Sequence, residues 1–323
     1  MRRIARILGF IILGLLLIAG AALLIFRNPD TDPAAMRAKY APAPSQFVDL
    51  GGGLTVHLRD TGPRNAPVLM LLHGSNASLH TWQPWANRLE QRYRVIRFDQ
   101  IGHGLTGPSP TRDYSAAAFI DTVEKVRVKL GLDRFVLAGN SMGGGVAWRY
   151  ALAHPAHVSG LILVDSVGQP EPGVDNAPLA FRVARMPVIK NIATMVTPRS
   201  LIADSLPAAF SNPKLADARM VDLYWELLLY PGNRAATIDR FATKPEYATS
   251  ERLARLVLPV LILWGDEDRL IPASSAKWLQ DRIPGSSLIV YPKTGHIPME
   301  ERADQSAADV HRFIETKVQP PQR

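Results

Sequence analysis

The stretch Asp133–Ala153, with the sequence DRFVLAGNSMGGGVAWRYALA, joins a short apolar run to a helix-forming run through a tight turn. The first run is rich in β-branched and aromatic residues and stops at Gly139, whereas the helix-forming run begins just past Ser141. A serine on such a strand-to-helix turn is held in a strained backbone conformation, with its hydroxyl above the sheet. Flanking glycines are needed because a Cβ there would collide with the neighbouring strand and helix. The pattern Gly139-x-Ser141-x-Gly143 therefore predicts a nucleophile rather than an ordinary turn.

The composition of the 323 residues is that of an ordinary globular protein, with 47% hydrophobic and 20% charged residues. The chain has no cysteine, which excludes disulfides, a thiolate nucleophile and zinc–cysteine sites. The net charge is +8, but residues 1–39 carry half of it and the remainder is scattered. This distribution gives no support to a nucleic-acid partner. No cluster of residues has the spacing of metal ligands and no glycine-rich phosphate loop with lysine is present, so we expect neither a metal nor a cofactor.

The N-terminal region contains an uninterrupted apolar stretch, residues 8–26, which is long enough as a helix to cross a membrane. Three arginines precede it, so the positive-inside rule predicts a cytoplasmic N-terminus and a catalytic body on the periplasmic or extracellular side. The alternative is a cleaved signal peptide, with small residues at positions 19–21 as the processing site. We favour an uncleaved single-pass anchor over residues 1–27 because the apolar run continues past that site. The proline-rich residues 28–45 are expected to form a linker.

Short apolar runs alternate with amphipathic runs along most of the remaining chain, which predicts a parallel sheet with helices on both faces. The predicted strands are Gln46–Leu50, Leu54–Asp60, Pro67–Leu72, Tyr93–Phe98, a run ending at Gly139, Ser159–Asp165, Val260–Trp264 and Ser287–Tyr291. Prolines between short helical pieces break the alternation over residues 167–250. We therefore predict an α/β core formed by residues 46–166 and 251–318, with an inserted helical lid at 167–250.

Three polar residues that follow predicted strands suggest a catalytic triad: Ser141, Asp268 and His296. Serine is a poor nucleophile at its own pKa and needs an imidazole to take its proton. The imidazole needs a carboxylate to fix its tautomer and to stabilise the imidazolium. The chain order Ser, Asp, His is the order associated with the α/β-hydrolase arrangement.

Five segments now carry a resemblance to α/β-hydrolase-fold serine hydrolases of the esterase and lipase type, and it covers residues 46–316. These segments are His73-Gly74, Asp99…Gly102-x-Gly104, Gly139-Asn140-Ser141-Met142-Gly143-Gly144, Gly265-x-x-Asp268…Pro272 and Gly295-His296-x-Pro298. The resemblance implies an eight-stranded, mostly parallel sheet. It also implies that the backbone N–H groups of Ser75 and Met142 form the oxyanion hole. Such donors contribute about 3–4 kcal/mol each to a tetrahedral intermediate.

The segment Gly139–Gly144 is also similar to enzymes that hydrolyse carbon–carbon bonds in ring-cleavage products. Those enzymes usually have more glycines after His-Gly, where this chain has Ser75 and Asn76, and an aromatic residue where it has Ile297. The serine nucleophile argues against epoxide hydrolases and haloalkane dehalogenases, which use an aspartate there.

Several residues remain alternatives to the assigned acid and base. Asp266 and Glu267 lie in the same turn as Asp268, and some relatives keep their acid at the position of Asp165. His103 competes with His296, but the glycines around it suggest tight packing near the pocket rather than base chemistry. Four histidines are interpreted as surface or element-end residues, and His73 as a structural residue that supports the oxyanion segment; the four are His57, His154, His157 and His311.

The sequence thus predicts a membrane-anchored serine hydrolase that cleaves a carboxylic ester. The alternatives are a carbon–carbon bond hydrolase acting on ring-cleavage diketones and a catalytically silent binding protein of the same fold. A mostly apolar lid that includes Phe181 and Trp225 suggests a small-molecule ester with an apolar acyl or aromatic group.

Overall fold

Eight strands form a single sheet in the computed structural model, which describes residues 24–170, 194–243 and 246–318 together with positions 6, 10, 13, 14 and 20. In chain order the strands are β1 Ser45–Asp49, β2 Thr55–Thr61, β3 Val68–Leu72, β4 Arg94–Phe98, β5 Phe135–Asn140, β6 Val158–Val164, β7 Val260–Gly265 and β8 Ser287–Tyr291. Their spatial order is β1-β2-β4-β3-β5-β6-β7-β8. The β1–β2 and β2–β4 pairs are antiparallel and every other pair is parallel. The prediction of an eight-stranded, mostly parallel sheet is confirmed.

Helices cover both faces of this sheet because its central strands are apolar on both sides. β5 and β7 are buried along their whole length. The helices of the described residues are α1 Pro33–Tyr40, α2 Gln83–Leu89, α3 Ala116–Lys129, α4 Met142–Ala153, α5 Arg199–Ser205, α6 Ala218–Leu228, α7 Asn233–Ala242, α8 Ser250–Leu253, α9 Ser274–Gln280, α10 Pro298–Glu301 and α11 Ala303–Phe313. One apolar cluster packs α3, α4 and α9 on one face, and a second packs α2 and α11 on the other. Burial on both faces is what a parallel sheet requires.

Most of the predicted membrane anchor, residues 8–26, lies outside the described residues. In the parts of the chain that the structure describes, no helix combines the length and the apolar character needed to cross a membrane.

Residues 28–45 differ from the expected linker because they contain helix α1 and contact the body. The helix begins where the Asp32 side chain accepts a hydrogen bond from the Ala35 N–H, with a proline in its first turn. Its buried Met36 packs in a small apolar cluster with Leu105, Leu227 and Tyr230. The proline composition suggested a linker, whereas the structure shows a capped helix whose methionine packs against residues of the predicted lid.

The described part of the predicted lid is helical, as α5, α6 and α7 show, whereas residues 171–193, with Phe181, lie outside the described residues. The lid touches the core near the candidate site, because the His296 N–H donates to the carbonyl of Ala209 at 2.8 Å. The lid thus provides part of the surroundings of the site.

Candidate active site

Ser141 stands between β5 and α4 with φ 53° and ψ −118°, a left-handed conformation that a residue with a Cβ rarely adopts. Its own N–H donates to the Val164 carbonyl on β6, and its carbonyl accepts from the Gly145 N–H in the first turn of α4. A Cβ on Gly143 would overlap the backbone of Leu72 at the end of β3. The helix can approach the sheet this closely only with glycine there, and that approach produces the strained turn at Ser141.

The His296 ring is held by Asp268, since its Nδ1 lies 2.7 Å from the Asp268 Oδ2. The other carboxylate oxygen, Oδ1, accepts backbone N–H groups from Leu270 at 2.8 Å and from Ile271 at 3.0 Å. Both side chains are buried. A carboxylate oxygen can only accept, so Nδ1 carries the proton, and Nε2 is left able to take one from a nucleophile.

Asn140 links the Ser141 turn to the His296 loop, a role that the sequence alone did not suggest. Its amide nitrogen donates to the carbonyls of His296 at 3.0 Å and Val164 at 3.2 Å. The two chain segments that carry the proposed nucleophile and base are therefore adjacent. The Ser141 hydroxyl itself makes no hydrogen bond within the described part of the chain. The only available signal in the sequence was a polar residue at the end of a strand that is otherwise apolar.

Residues 73–77, named here the oxyanion loop, run past the same turn. His73 donates from Nδ1 to the Gly74 carbonyl at 2.7 Å and accepts the Gln100 N–H at Nε2, which fixes the start of the loop. The Ser75 hydroxyl is buried with no hydrogen-bond partner in the described residues. Met142 is the first residue of α4, and the N–H groups of a first helical turn have no acceptor within the helix. The two N–H groups predicted for the oxyanion hole thus lie on segments that flank Ser141.

A family model for the alpha/beta hydrolase fold matches residues 67–303, a range that holds every element of the site described above. The chain belongs to the α/β-hydrolase family. Since the match covers most of the chain and its relatives include several hydrolases and lipases, the protein is a hydrolase of this fold.

Relatives of this α/β-hydrolase cleave different bonds. A 2-hydroxy-6-oxononadienedioate/2-hydroxy-6-oxononatrienedioate hydrolase from Pseudomonas putida is 29% identical over 260 residues, covering 78% of this chain and 88% of that protein. A monoacylglycerol lipase from Xenopus laevis is 27% identical over 267 residues, covering 78% and 76%. The solved structure of a membrane phospholipase A, a bacterial virulence factor, is 25% identical, covers 97% of this chain and 98% of its own, and has a TM-score of 0.70.

Asp165, the alternative acid of this hydrolase, lies close to Asp268 but makes no hydrogen bond to His296. One Asp165 oxygen accepts the Gly265 N–H at 3.0 Å, and the other has no partner in the described residues. Burial raises the pKa of Asp165 well above its usual range, and the neighbouring Asp268 charge raises this pKa further. The geometry therefore brings Asp268, and not Asp165, to the imidazole.

Asp165, Asp268 and His296 are also the one group in the described residues with three potential metal-ligand atoms within 4.8 Å of one another. The surroundings of Asp165 favour its neutral form, which makes this carboxyl group a poorer ligand for a cation. The Asp268 oxygen nearest His296 is already occupied by the Nδ1 proton. These observations favour a hydrogen-bonded cluster over a metal site.

The remaining alternatives lie away from the imidazole. Asp266 and Glu267 are exposed, and Glu267 accepts the Ser211 hydroxyl at 2.5 Å. His103 is buried beside His73, with ring centroids 5.1 Å apart, and its Nδ1 lies 2.9 Å from the Ile101 carbonyl. Burial lowers the pKa of His103 well below its usual value, and so does the charge of Arg240. A neutral histidine in contact with the oxyanion loop is consistent with the packing role predicted from its glycine neighbours.

Proposed function

We propose that this hydrolase cleaves a carboxylic ester by acyl transfer. Ser141 attacks the carbonyl carbon while His296 Nε2 takes the hydroxyl proton, and Asp268 keeps the ring in the required tautomer. The N–H groups of Ser75 and Met142 stabilise the oxyanion of the tetrahedral intermediate. His296 then protonates the leaving alcohol, and a water molecule, activated by the same imidazole, hydrolyses the acyl-enzyme.

One observation carries this proposal: a serine in a strained turn at a helix N-terminus, beside a histidine loop whose ring is 2.7 Å from a buried carboxylate. The strained turn orients the serine oxygen, the helix N-terminus supplies an oxyanion donor, and the His–Asp pair supplies the base. Acyl transfer needs all three parts at one place.

Carbon–carbon bond hydrolysis is the second candidate function, since the elbow sequence Gly139–Gly144 resembles enzymes of that class and the relative from Pseudomonas putida acts on such a compound. The ester reading is favoured by Ser75 and Asn76 in place of further glycines and by Ile297 after the histidine.

The test compares the full chain, purified in detergent, on a p-nitrophenyl ester and on a vinylogous 1,5-diketone of the ring-cleavage type. If the protein is an esterase, we expect a kcat/KM at least about tenfold higher for the ester than for the diketone, because a site adapted to one reacting group discriminates against another. Faster turnover of the diketone would favour the second candidate. Varying the acyl chain length of the ester then tests the proposed preference for an apolar acyl or aromatic group.

We further propose that residues 8–26 anchor the hydrolase as a single-pass helix, with a cytoplasmic N-terminus and the catalytic body on the periplasmic or extracellular side. Support comes from the uninterrupted apolar run behind three arginines, and from the membrane phospholipase A that covers nearly the whole chain. Fusion of alkaline phosphatase to the C-terminus should give an active reporter, whereas a C-terminal green fluorescent protein exported as an unfolded chain should stay dark. The opposite pattern would contradict the proposed orientation.

A further inference from the structure

Lid helix α7 places a guanidinium group against the oxyanion loop. The Arg240 Nη2 donates to the side-chain oxygen of Asn76 at 3.1 Å, and the Thr237 hydroxyl, one turn earlier on the helix, donates to the same oxygen at 3.0 Å. Asn76 directly follows Ser75, the proposed oxyanion donor, and has a left-handed φ of 57°. Arg240 therefore contacts the residue next to Ser75, the proposed oxyanion donor.

The charge of Arg240 is not balanced by any acid in the described residues. Among the described residues, no carboxylate lies within 4.0 Å of the guanidinium, and the neighbouring Asp239 is engaged by the Arg112 side chain. Within the part of the chain that the structure describes, the Arg240 Nε is buried without a hydrogen-bond partner and the one hydrogen bond of the group goes to Asn76, while the centroid of the Phe241 ring lies 4.5 Å from its Cζ. Burial lowers the pKa of Arg240 to about 10, so the group remains a cation at neutral pH. A partly buried cation without a counter-charge is costly to keep unless a ligand supplies one.

Other enclosed arginines of this hydrolase differ from Arg240 in one of two respects. Arg94 and Arg234 are each paired with an aspartate, at 2.7 Å and 2.5 Å respectively. Arg97 has no carboxylate partner within 4.0 Å but is 1% exposed, so no ligand could reach it. Arg240 combines an unpaired charge with residual exposure and a position beside the proposed oxyanion hole.

We propose that Arg240 binds an anionic oxygen group of the substrate, a carboxylate or a phosphate, next to the oxyanion loop. A guanidinium presents planar N–H donors that suit either group, and the Arg240 Nη1 makes no hydrogen bond within the described residues. This inference assumes the ester hydrolysis proposed above and narrows its substrate to an ester that carries a negative charge near the scissile bond.

The competing explanation is that Arg240 only fastens the lid helix to the oxyanion loop. Thr237 offers a matched control, because Thr237→Val removes a hydrogen bond to the same Asn76 oxygen without changing charge. A mere fastening role predicts that Arg240→Gln and Thr237→Val act alike on neutral and anionic substrates. An anion site predicts that only Arg240→Gln changes the preference between them.

The kinetic test uses the full chain in detergent and two substrate pairs that differ by one charged group. Oleoyl-lysophosphatidate against mono-oleoylglycerol tests a phosphate on the alcohol side; mono-p-nitrophenyl succinate against p-nitrophenyl butyrate tests a carboxylate on the acyl side. In at least one pair, Arg240→Gln should lower kcat/KM for the anionic member about 10- to 100-fold relative to the neutral one, the loss expected for a hydrogen bond to a charged group. Thr237→Val should leave that ratio unchanged. An equal loss on both members of both pairs would overturn the inference.

A binding test separates this inference from the proposed function. Calorimetry measures decyl phosphate, decanoate and decanol on the wild type and on Arg240→Gln, and none of these ligands has a bond to cleave. Arg240→Gln should weaken at least one anion about tenfold or more and leave decanol unchanged. This outcome would keep the anion site even if no ester were turned over. Equal affinity of both proteins for both anions would refute the site even if ester hydrolysis were established.

Discussion

This hydrolase contains two sets of serine, histidine and aspartate residues whose His–Asp pairs have the same 2.7 Å separation. In the candidate active site, the His296 Nδ1 lies 2.7 Å from Asp268. Between β1, β2 and the end of β4, the His57 Nδ1 lies 2.7 Å from Asp99, and its Nε2 lies 2.9 Å from the Ser45 hydroxyl. By side-chain distances alone, the set formed by Ser45, His57 and Asp99 is the more complete triad.

The two residue sets differ in the groups that surround their serines and carboxylates. The Ser45 oxygen also accepts from the Arg59 Nε at 2.9 Å, so two buried neighbours engage this hydroxyl. Asp99 accepts the N–H groups of Leu79 and Leu105 and thereby ties two loops together. Burial opposes the ionisation of Asp99, but the charge and hydrogen bond of His57 outweigh it and hold this pKa well below its usual range.

Ser141, in contrast, occupies a strained turn at a helix N-terminus, with its hydroxyl unbonded in the described residues. Residue types and side-chain distances alone therefore do not make a serine a nucleophile. The backbone must present the serine oxygen outward and place N–H donors beside the reacting carbonyl. The set that contains Ser141 has this backbone. The set that contains Ser45 is a buried polar network that stabilises the fold.

Removing each serine in turn should give the largest difference between the two residue sets. Ser141→Ala should lower kcat for a p-nitrophenyl ester by a factor on the order of 10⁴ or more, the loss typical of a triad nucleophile. Ser45→Ala should keep kcat within about threefold and lose stability instead, because it leaves the Arg59 and His57 nitrogens with one partner fewer. Kinetics and chemical denaturation of the two variants provide the check. Full activity in Ser141→Ala would refute the assignment.

The two aspartates should separate catalysis from stability. Asp268→Asn should reduce kcat on the order of 10³- to 10⁴-fold with a small change in the free energy of unfolding, because the ring loses its required tautomer. Asp99→Asn should cost about 1–3 kcal/mol of unfolding free energy, because it removes the charged acceptor of buried hydrogen bonds from His57 and from two backbone N–H groups. Its folded fraction should turn over the ester at a rate close to that of the wild type. If both variants lost activity without losing stability, the distinction drawn here would fail.

The carboxyl group of Glu300, close in sequence to His296, should make the free energy of unfolding depend on pH near neutrality, unlike the carboxylate of Asp99. Burial raises the pKa of Glu300 to about 7, although the Thr81 hydroxyl donates to it. Its pKa is higher in the folded than in the unfolded protein. Its contribution is therefore full below about pH 4.5 and is lost as the pH rises to about 7.

Denaturation at pH 5 and pH 8 checks this expectation. The wild type should lose about 1–2 kcal/mol more than Glu300→Gln over that interval, a figure reduced for the partial exposure of the carboxyl group. Identical pH dependence in both proteins would contradict the raised pKa.

The smallest effect is expected at the alternative acid. Because its surroundings raise the pKa of Asp165 and so favour the neutral form, asparagine is close to it in shape and charge, and Asp165→Asn should keep kcat at pH 7 within about threefold. Steady-state kinetics beside Asp268→Asn provides the comparison. A loss as large as that of Asp268→Asn would move the catalytic acid to Asp165.

Much of the fold and part of the site could be predicted because the signals are local. Alternating apolar runs define the strands, and the glycines around Ser141 define the turn. His57 was wrongly interpreted as a surface or element-end residue: it is fully buried, because the pairing of β1 with β2 encloses it. The contacts of Asn140 with the His296 loop and of Arg240 with the oxyanion loop join positions far apart in the chain. Such contacts depend on tertiary packing, which no short pattern encodes.

The claim that the backbone, and not the Ser–His–Asp residue set, determines the nucleophile has one direct test. The full chain is treated with a fluorophosphonate, digested, and its labelled peptide identified by mass spectrometry. We expect a single adduct on Ser141, which is absent from Ser141→Ala and unchanged in Ser45→Ala. An adduct on Ser45, or a folded and active protein without label on Ser141, would contradict it.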